Sequence, residues 1–167
     1  MEIGEIRALY AYNSWVNNQL LDAAAALPTE VLRDRHGATF DSIHDNFAHI
    51  LGAQILWLSR WRGTSPAKLS AGVDFADLAA IRAGWVSHQT DLDRFLAQLT
   101  PQQLAGKIRY VNLAGQPFAY RLWQMLVHVV NHGTHHRGEI AELLTRAGHP
   151  PPPTDFLVYY DVIGENS

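Results

Sequence analysis

With 167 residues and 47% hydrophobic side chains, the chain is expected to form a single domain with its own core. The formal net charge of -3 supplies no positive field to gather phosphate backbones, which argues against general nucleic-acid binding. The absence of cysteine excludes disulfides, thiolate nucleophiles and sulfur-ligated metal sites, so any metal must be held by nitrogen or oxygen.

The N-terminus, MEIGEIRALYAYNSW, lacks the basic start and apolar run of a secretory signal, and no uncharged apolar stretch is long enough to span a membrane. No membrane association and a cytoplasmic location are therefore expected. From Ile3 to about Leu27 apolar residues recur at three and four (Ile6, Leu9, Tyr10, Leu20, Leu21), and Pro28 ends the run, giving a first long helix. After a PTEVLRD turn, a second helix is expected from about Asp41 to Arg62, with Gly63 as its C-terminal stop.

GTSPAKLSAG reads as a loop, and DFADLAAIRAGWVSHQTDLDRFLAQL as a third helix ending at Thr100-Pro101. KIRYVNLAGQPFAY alternates β-favouring residues about a Gly-containing turn and reads as a short hairpin. A fourth helix runs from about Arg121 to Ala147, and beyond HPPPP the apolar TDFLVYYDVI is expected to pack back on the body. Four amphipathic helices joined by connections of mixed length predict an all-α four-helix bundle, since each apolar stripe needs a facing partner.

Nine histidines are the compositional oddity, and His128, His132, His135 and His136 fall within nine residues. Residues four apart on a helix differ by about 40° around its axis, so His128, His132 and His136 form one row. Measured against the apolar stripe of the fourth helix, His136 lies inside it and His132 on its edge, while His128 and His135 turn outward. Neutral imidazoles at i and i+4 suit zinc, nickel, copper or iron, yet the same spacing also fits a polar edge to a core. The second helix offers His44 or His49 as a third ligand, and periodicity does not choose between them.

His36, His88 and His149 read as solvated side chains, as do His128 and His135 unless they act as pocket residues or support the ligands from behind. Arg137 falls inside the apolar stripe beside Gly133, so its guanidinium needs a carboxylate or carbonyl; a structural ion pair is the expected account, and recognition of a substrate anion the sharper one. Of the five tryptophans, Trp15, Trp61, Trp85 and Trp123 are assigned to packing, and Trp57 to a wall of the site because it lies two turns from His49.

NSWVNNQLLDAAAALP, DSIHDNFAHILGAQILWLSRWRG and above all LVHVVNHGTHHRGEIAELLTRAGHPPPPTDFLVYY resemble the DinB/YfiT-like family of damage-inducible proteins, to which metal dependence is ascribed. The resemblance spans essentially the whole chain and rests on a second-helix histidine eight residues before a tryptophan and an NHxxxH segment continuing into RG. It implies that His49, His132 and His136 are the ligands of one divalent ion per chain, zinc or nickel, with coordination positions left open. It further implies a bundle with a long crossover connection and a homodimer, an association also suggested by the surplus of apolar residues on the second and fourth helices, illustrated on the second by Leu51, Ile55 and Leu56.

An open three-histidine site has the layout of a catalytic centre, and no protein nucleophile is recognisable, so the catalytic residues stay unassigned. The functional expectation is a metal-dependent enzyme acting on a small molecule. It would be a hydrolase, or a transferase or isomerase that activates a low-molecular-weight thiol brought by the cosubstrate. The alternative is a stress-associated metal-binding or interaction protein without turnover.

Overall fold

The computed structural model describes residues 1–35 and 42–164, the side chain of Val73 apart; His36 lies outside them. Four long helices carry the architecture: α1 (Ile3–Ala24), α3 (Ile43–Trp61), α4 (Leu78–Ala97) and α6 (Leu122–Arg146). Short helices α2 (Thr29–Leu32), α5 (Pro101–Ala105) and α7 (Phe156–Ile163) and the hairpin β1 (Lys107–Val111) and β2 (Pro117–Arg121) join or flank them. The sequence predicts the four helices and the hairpin; α2 replaces the expected turn, α5 was not anticipated, and the third helix starts four residues late. Its start is set by Asp77, whose side chain accepts from Ala80 N, while Gly72–Asp74 form a separate 3₁₀ turn. Ser42 caps α3 in the same way, accepting from Asp45 N.

Side-chain pairs give the helix directions. Arg7 bonds to Leu96 O and Arg82 to Asp22, so α1 and α4 are antiparallel. Trp57 meets His128 and Asn46 meets His136, so α3 and α6 are antiparallel as well. Phe47 meets Trp85 while Trp61 meets Phe95, which makes α3 and α4 parallel. Successive parallel helices require a connection that returns along the bundle, and residues 62–77 do this, passing Ser70 close over Gly52 and Gly72 beside Asp45. Gly52 permits the pass: a methyl group there would run into the carbonyl of Ser70.

The bundle buries two large apolar clusters, and a smaller third of Tyr12, Val16 and Tyr159 forms where α7 meets α1. One contains Leu20, Leu21, Phe47, Leu51, Ile81, Ile140 and Leu144. The other contains Ile6, Tyr10, Leu58, Leu92, Leu96, Met125 and Leu126. Each large side chain in these clusters contributes about 1.5–3 kcal/mol. Between them in sequence on all four helices stands a buried polar layer: Asn13 and Asn17, Gln54, His88, and His136 with Arg137.

Two expectations change here. His88 is buried at 5% exposure rather than solvated, following Ile81 and Trp85 and preceding Leu92 at core spacing. Leu51 and Leu56 are buried within the chain, so the second helix has little apolar surplus beyond Ile55. The C-terminal segment packs back as expected, with Tyr159 against Tyr12 and Trp15, while Leu157 and Val162 stay exposed. Among the described residues no helix is long and apolar enough to cross a membrane.

Candidate metal centre

His49 projects from α3 and His132 and His136 from α6, where the two helices pack antiparallel. Their ring nitrogens come together: one from each residue lies within 4.8 Å of the others, a grouping able to hold a metal ion. His49 Nε2 and His132 Nε2 are 3.2 Å apart, joining residues 83 positions apart in the chain. Two nitrogens at about 2.0–2.1 Å from a tetrahedral zinc lie about 3.3 Å from one another, so the observed spacing fits a shared ion.

His136 is held from behind. Its Nδ1 lies 2.8 Å from Glu139 Oε2 and 3.2 Å from Asn46 Oδ1. A carboxylate can only accept, so Nδ1 carries the proton and the Nε2 lone pair is left for an ion, the usual carboxylate–histidine arrangement behind a metal ligand. The other oxygen of Glu139 lies 3.4 Å from His135 Nε2, so one carboxylate steadies both rings. Burial, followed by the neighbouring His136 and His132, lowers the pKa of His49 to about 4. Burial, His136 and His128 lower that of His132 likewise to about 4. Both imidazoles are therefore neutral at pH 7, the protonation state a metal requires.

The remaining sequence candidates separate clearly. His44 is buried elsewhere, its Nε2 beside Arg33 and its Nδ1 3.4 Å from Asp45, so the structure brings His49 and not His44 to the cluster. His128 and His135 are exposed, as the helical wheel implies, yet neither is merely solvated: His128 lies against Trp57 with ring centroids 5.1 Å apart. His149 is exposed.

Arg137 makes no ion pair among the described residues, contrary to the leading expectation. Its guanidinium donates to Asn13 Oδ1 (2.7 Å), Asn17 Oδ1 (3.3 Å) and Thr134 Oγ1 (2.8 Å). Amide oxygens on α1 supply the acceptors, and Gly133 makes the room: a methyl there would sit 2.7 Å from Nη1. Burial lowers the Arg137 pKa to about 10, which leaves it charged at pH 7. Glu139 and Asn46 were not anticipated as supports. The signal was present in the i, i+3 spacing of His136 and Glu139 and of Asn46 and His49, which puts each support on the face of its helix that carries a ligand.

Trp57 was expected to wall the metal pocket; it lines a cavity that none of the three ligand histidines lines, together with Tyr110 and Tyr120 of the hairpin and Gln124, Met125 and His128 of α6. Its volume is about 420 Å³, the size of a small-molecule site, and His128 stands between it and His132, 6.1 Å from the latter ring to ring.

A crystal structure of a DinB-like protein from Bacillus cereus ATCC 10987 superposes with a TM-score of 0.63 over 86% of this chain and 91% of that one, at 21% identity, which establishes the shared fold. Protein DinB of Bacillus subtilis (strain 168) is 29% identical over 159 residues, covering 90% of this chain and 91% of that protein. With the DinB family model matching residues 3–166, the chain belongs to the DinB family.

Proposed function

We propose that the chain is a metal-dependent enzyme acting on a small molecule at the three-histidine centre, with zinc or nickel as its ion. The observation that carries this reading is the meeting of His49, His132 and His136 with His136 oriented by Glu139 and Asn46, all beside a cavity of substrate size. When bound, such an ion supplies Lewis acidity, usable on water in a hydrolase or on a low-molecular-weight thiol in a transferase or isomerase.

The chain's own residues do the rest. Glu139 keeps the Nδ1 proton on His136, and burial keeps His49 and His132 unprotonated. Trp57 packs against His128, which in turn lies 6.1 Å ring to ring from His132. With no cysteine in the sequence, any thiol is a cosubstrate. Imidazole donors suit zinc and nickel alike, so availability decides between them. Association of two copies belongs to the same proposal, supported by the apolar side chains that α7 leaves exposed, and light scattering at micromolar concentration tests it.

The functional test is a hydrolase screen run beside a thiol-conjugation assay on tag-free protein, metal-loaded and stripped. Turnover that follows the metal sustains the proposal. Full metal occupancy without turnover in either assay leaves a non-catalytic metal-binding protein, and turnover that survives verified stripping refutes the centre's catalytic role.

A further inference from the structure

Helix α6 carries a row of side chains four residues apart that leads away from the metal ligands: His132, His128 and Gln124. His132 belongs to the three-histidine cluster, and His128 and Gln124 line the cavity that Trp57 walls. One face of one helix therefore joins the cavity to the candidate centre, over about two turns.

A second wall comes from the hairpin. Its register sets Tyr110 across from Phe118 and Tyr120 across from Ile108, and side-chain alternation puts these four on one face. The rings of Tyr110 and Phe118 stack with centroids 5.7 Å apart, and those of Phe118 and Tyr120 with centroids 6.2 Å apart. Tyr110 meets Trp57 at 5.2 Å, so this face looks toward the bundle, yet Tyr120 at the cavity stays 44% exposed. A flat apolar guest would cover it.

The polar groups of the cavity narrow what that guest is. Gln124 caps its own helix, its Oε1 accepting from Arg121 N at 3.0 Å. A backbone N–H only donates, so the orientation of the amide is fixed and its oxygen is in use. Its Nε2 hydrogens have no partner among the described residues, so Gln124 has donors alone to offer a guest. None of the six residues lining the cavity is lysine, arginine, aspartate or glutamate, so a carboxylate enclosed there would lose water without gaining a counter-charge. A quaternary ammonium would suit aromatic rings. Here the guanidinium carbon of Arg60 already lies 4.7 Å from the ring centroid of Trp57 and 4.6 Å from that of Tyr110, and its charge repels a second cation.

We propose that the cavity holds the recognition end of the substrate, an uncharged aromatic ring bearing a carbonyl, with the ring against Trp57 and Tyr120 and the oxygen accepting from Gln124 Nε2. A carbonyl accepts and never donates, which matches what Gln124 has left. The rest of the molecule runs past His128 toward His132. The assignment rests on the metal-centre reading for where the reaction occurs, though not for how the ring is held.

The test titrates zinc-loaded full-length protein with acetophenone and with ethylbenzene, its near-isosteric hydrocarbon, following backbone amide signals by NMR. Acetophenone is expected to bind about fivefold more tightly, the effect of one neutral hydrogen bond. Benzoate and trimethylphenylammonium should bind more weakly than acetophenone. Gln124→Glu keeps the cap on Arg121 N but has no donor, so the preference for the ketone should vanish while ethylbenzene binds as before. Equal binding of the two neutral probes, no binding of either, tighter binding of a charged one, or a ketone preference that survives Gln124→Glu would overturn the proposal. Should Gln124→Glu fail to fold by circular dichroism, Tyr120→Ala decides: weakened binding of both neutral probes supports the site, and unchanged binding overturns it.

Metal-stripped protein separates the two readings. Ketone preference retained there, and lost in Gln124→Glu, supports the amide as the anchor even where the turnover assays find no metal-dependent activity. Preference that disappears with the metal and persists in zinc-loaded Gln124→Glu shows the ion holding the carbonyl, which overturns this proposal and leaves the metal centre standing.

Discussion

Helix α6 presents polar side chains to two neighbours at one level of the bundle, Arg137 toward α1 and His132 with His136 toward α3. The two regions resolve the cost of buried polarity differently. Around Arg137 the guanidinium donors meet oxygens of Asn13, Asn17 and Thr134, so its charge is matched inside the chain although Asn17 Nδ2 is left without a partner. Around the histidines, neutral imidazoles from two helices point nitrogens at one another, an arrangement that a cation completes. A buried charge matched by neighbouring oxygens serves the shape of the bundle, and lone pairs that converge on a point serve a guest.

Substitutions in the two regions should have opposite effects. His132→Ala should take metal content from one ion per chain to nearly none while the helical circular dichroism spectrum persists. Arg137→Ala should do the reverse, retaining the ion but losing about 2–4 kcal/mol of stability in urea unfolding, because Asn13 and Asn17 are left unmatched. Metal loss in the second variant with full occupancy in the first would invert the assignment.

Next in size is the choice of the third ligand. His49→Ala should empty the site and His44→Ala should not, as read by metal analysis after dialysis, since His44 is engaged with Arg33 and Asp45. Smaller again is the support behind the site: Glu139→Ala should weaken metal affinity by about tenfold, at the low end for such partners because Asn46 still accepts from His136. An affinity equal to that of the unaltered protein would count Glu139 as a surface residue.

The mildest effect concerns pH and sets the two ligands of lowered pKa beside His88. His49, His132 and His88 each have a folded pKa near 4 against 6.5 unfolded, burial being the first cause in every case. A depressed folded pKa means the unfolded chain binds more protons between those values, so stripped protein should be fully stable above about pH 6.5 and lose stability as pH falls toward 4. His88→Leu should flatten that slope without altering metal binding, since His88 is on α4, away from the cluster. A slope unchanged by the substitution would place the titration elsewhere.

Much of this was legible from residue spacing. The i, i+4 pair of His132 and His136 and their place on the wheel of α6 follow from helical periodicity, and the structure keeps the same order of exposure. The family motif, not the wheel, singled out His49. What stayed hidden depends on partners distant in sequence. Arg137 meets Asn13 across 124 residues, and Arg60 is enclosed by a hairpin tyrosine as well as its own helix, so neither environment is visible in a local pattern. His88 was within reach: three residues after Trp85 and four before Leu92, it occupies a core position that its polarity disguises.

The contact between His49 and His132 spans 83 residues, with the returning loop, α4, α5 and the hairpin all lying between. No fragment ending before α6 can assemble the site, so binding there is a property of the completed chain. An ion that binds the folded state alone, at a hundred times its dissociation constant, adds about 2.7 kcal/mol against unfolding. During synthesis the site would remain unformed until α6 emerged, and capture of the ion would then make the packing of α6 on α3 harder to reverse.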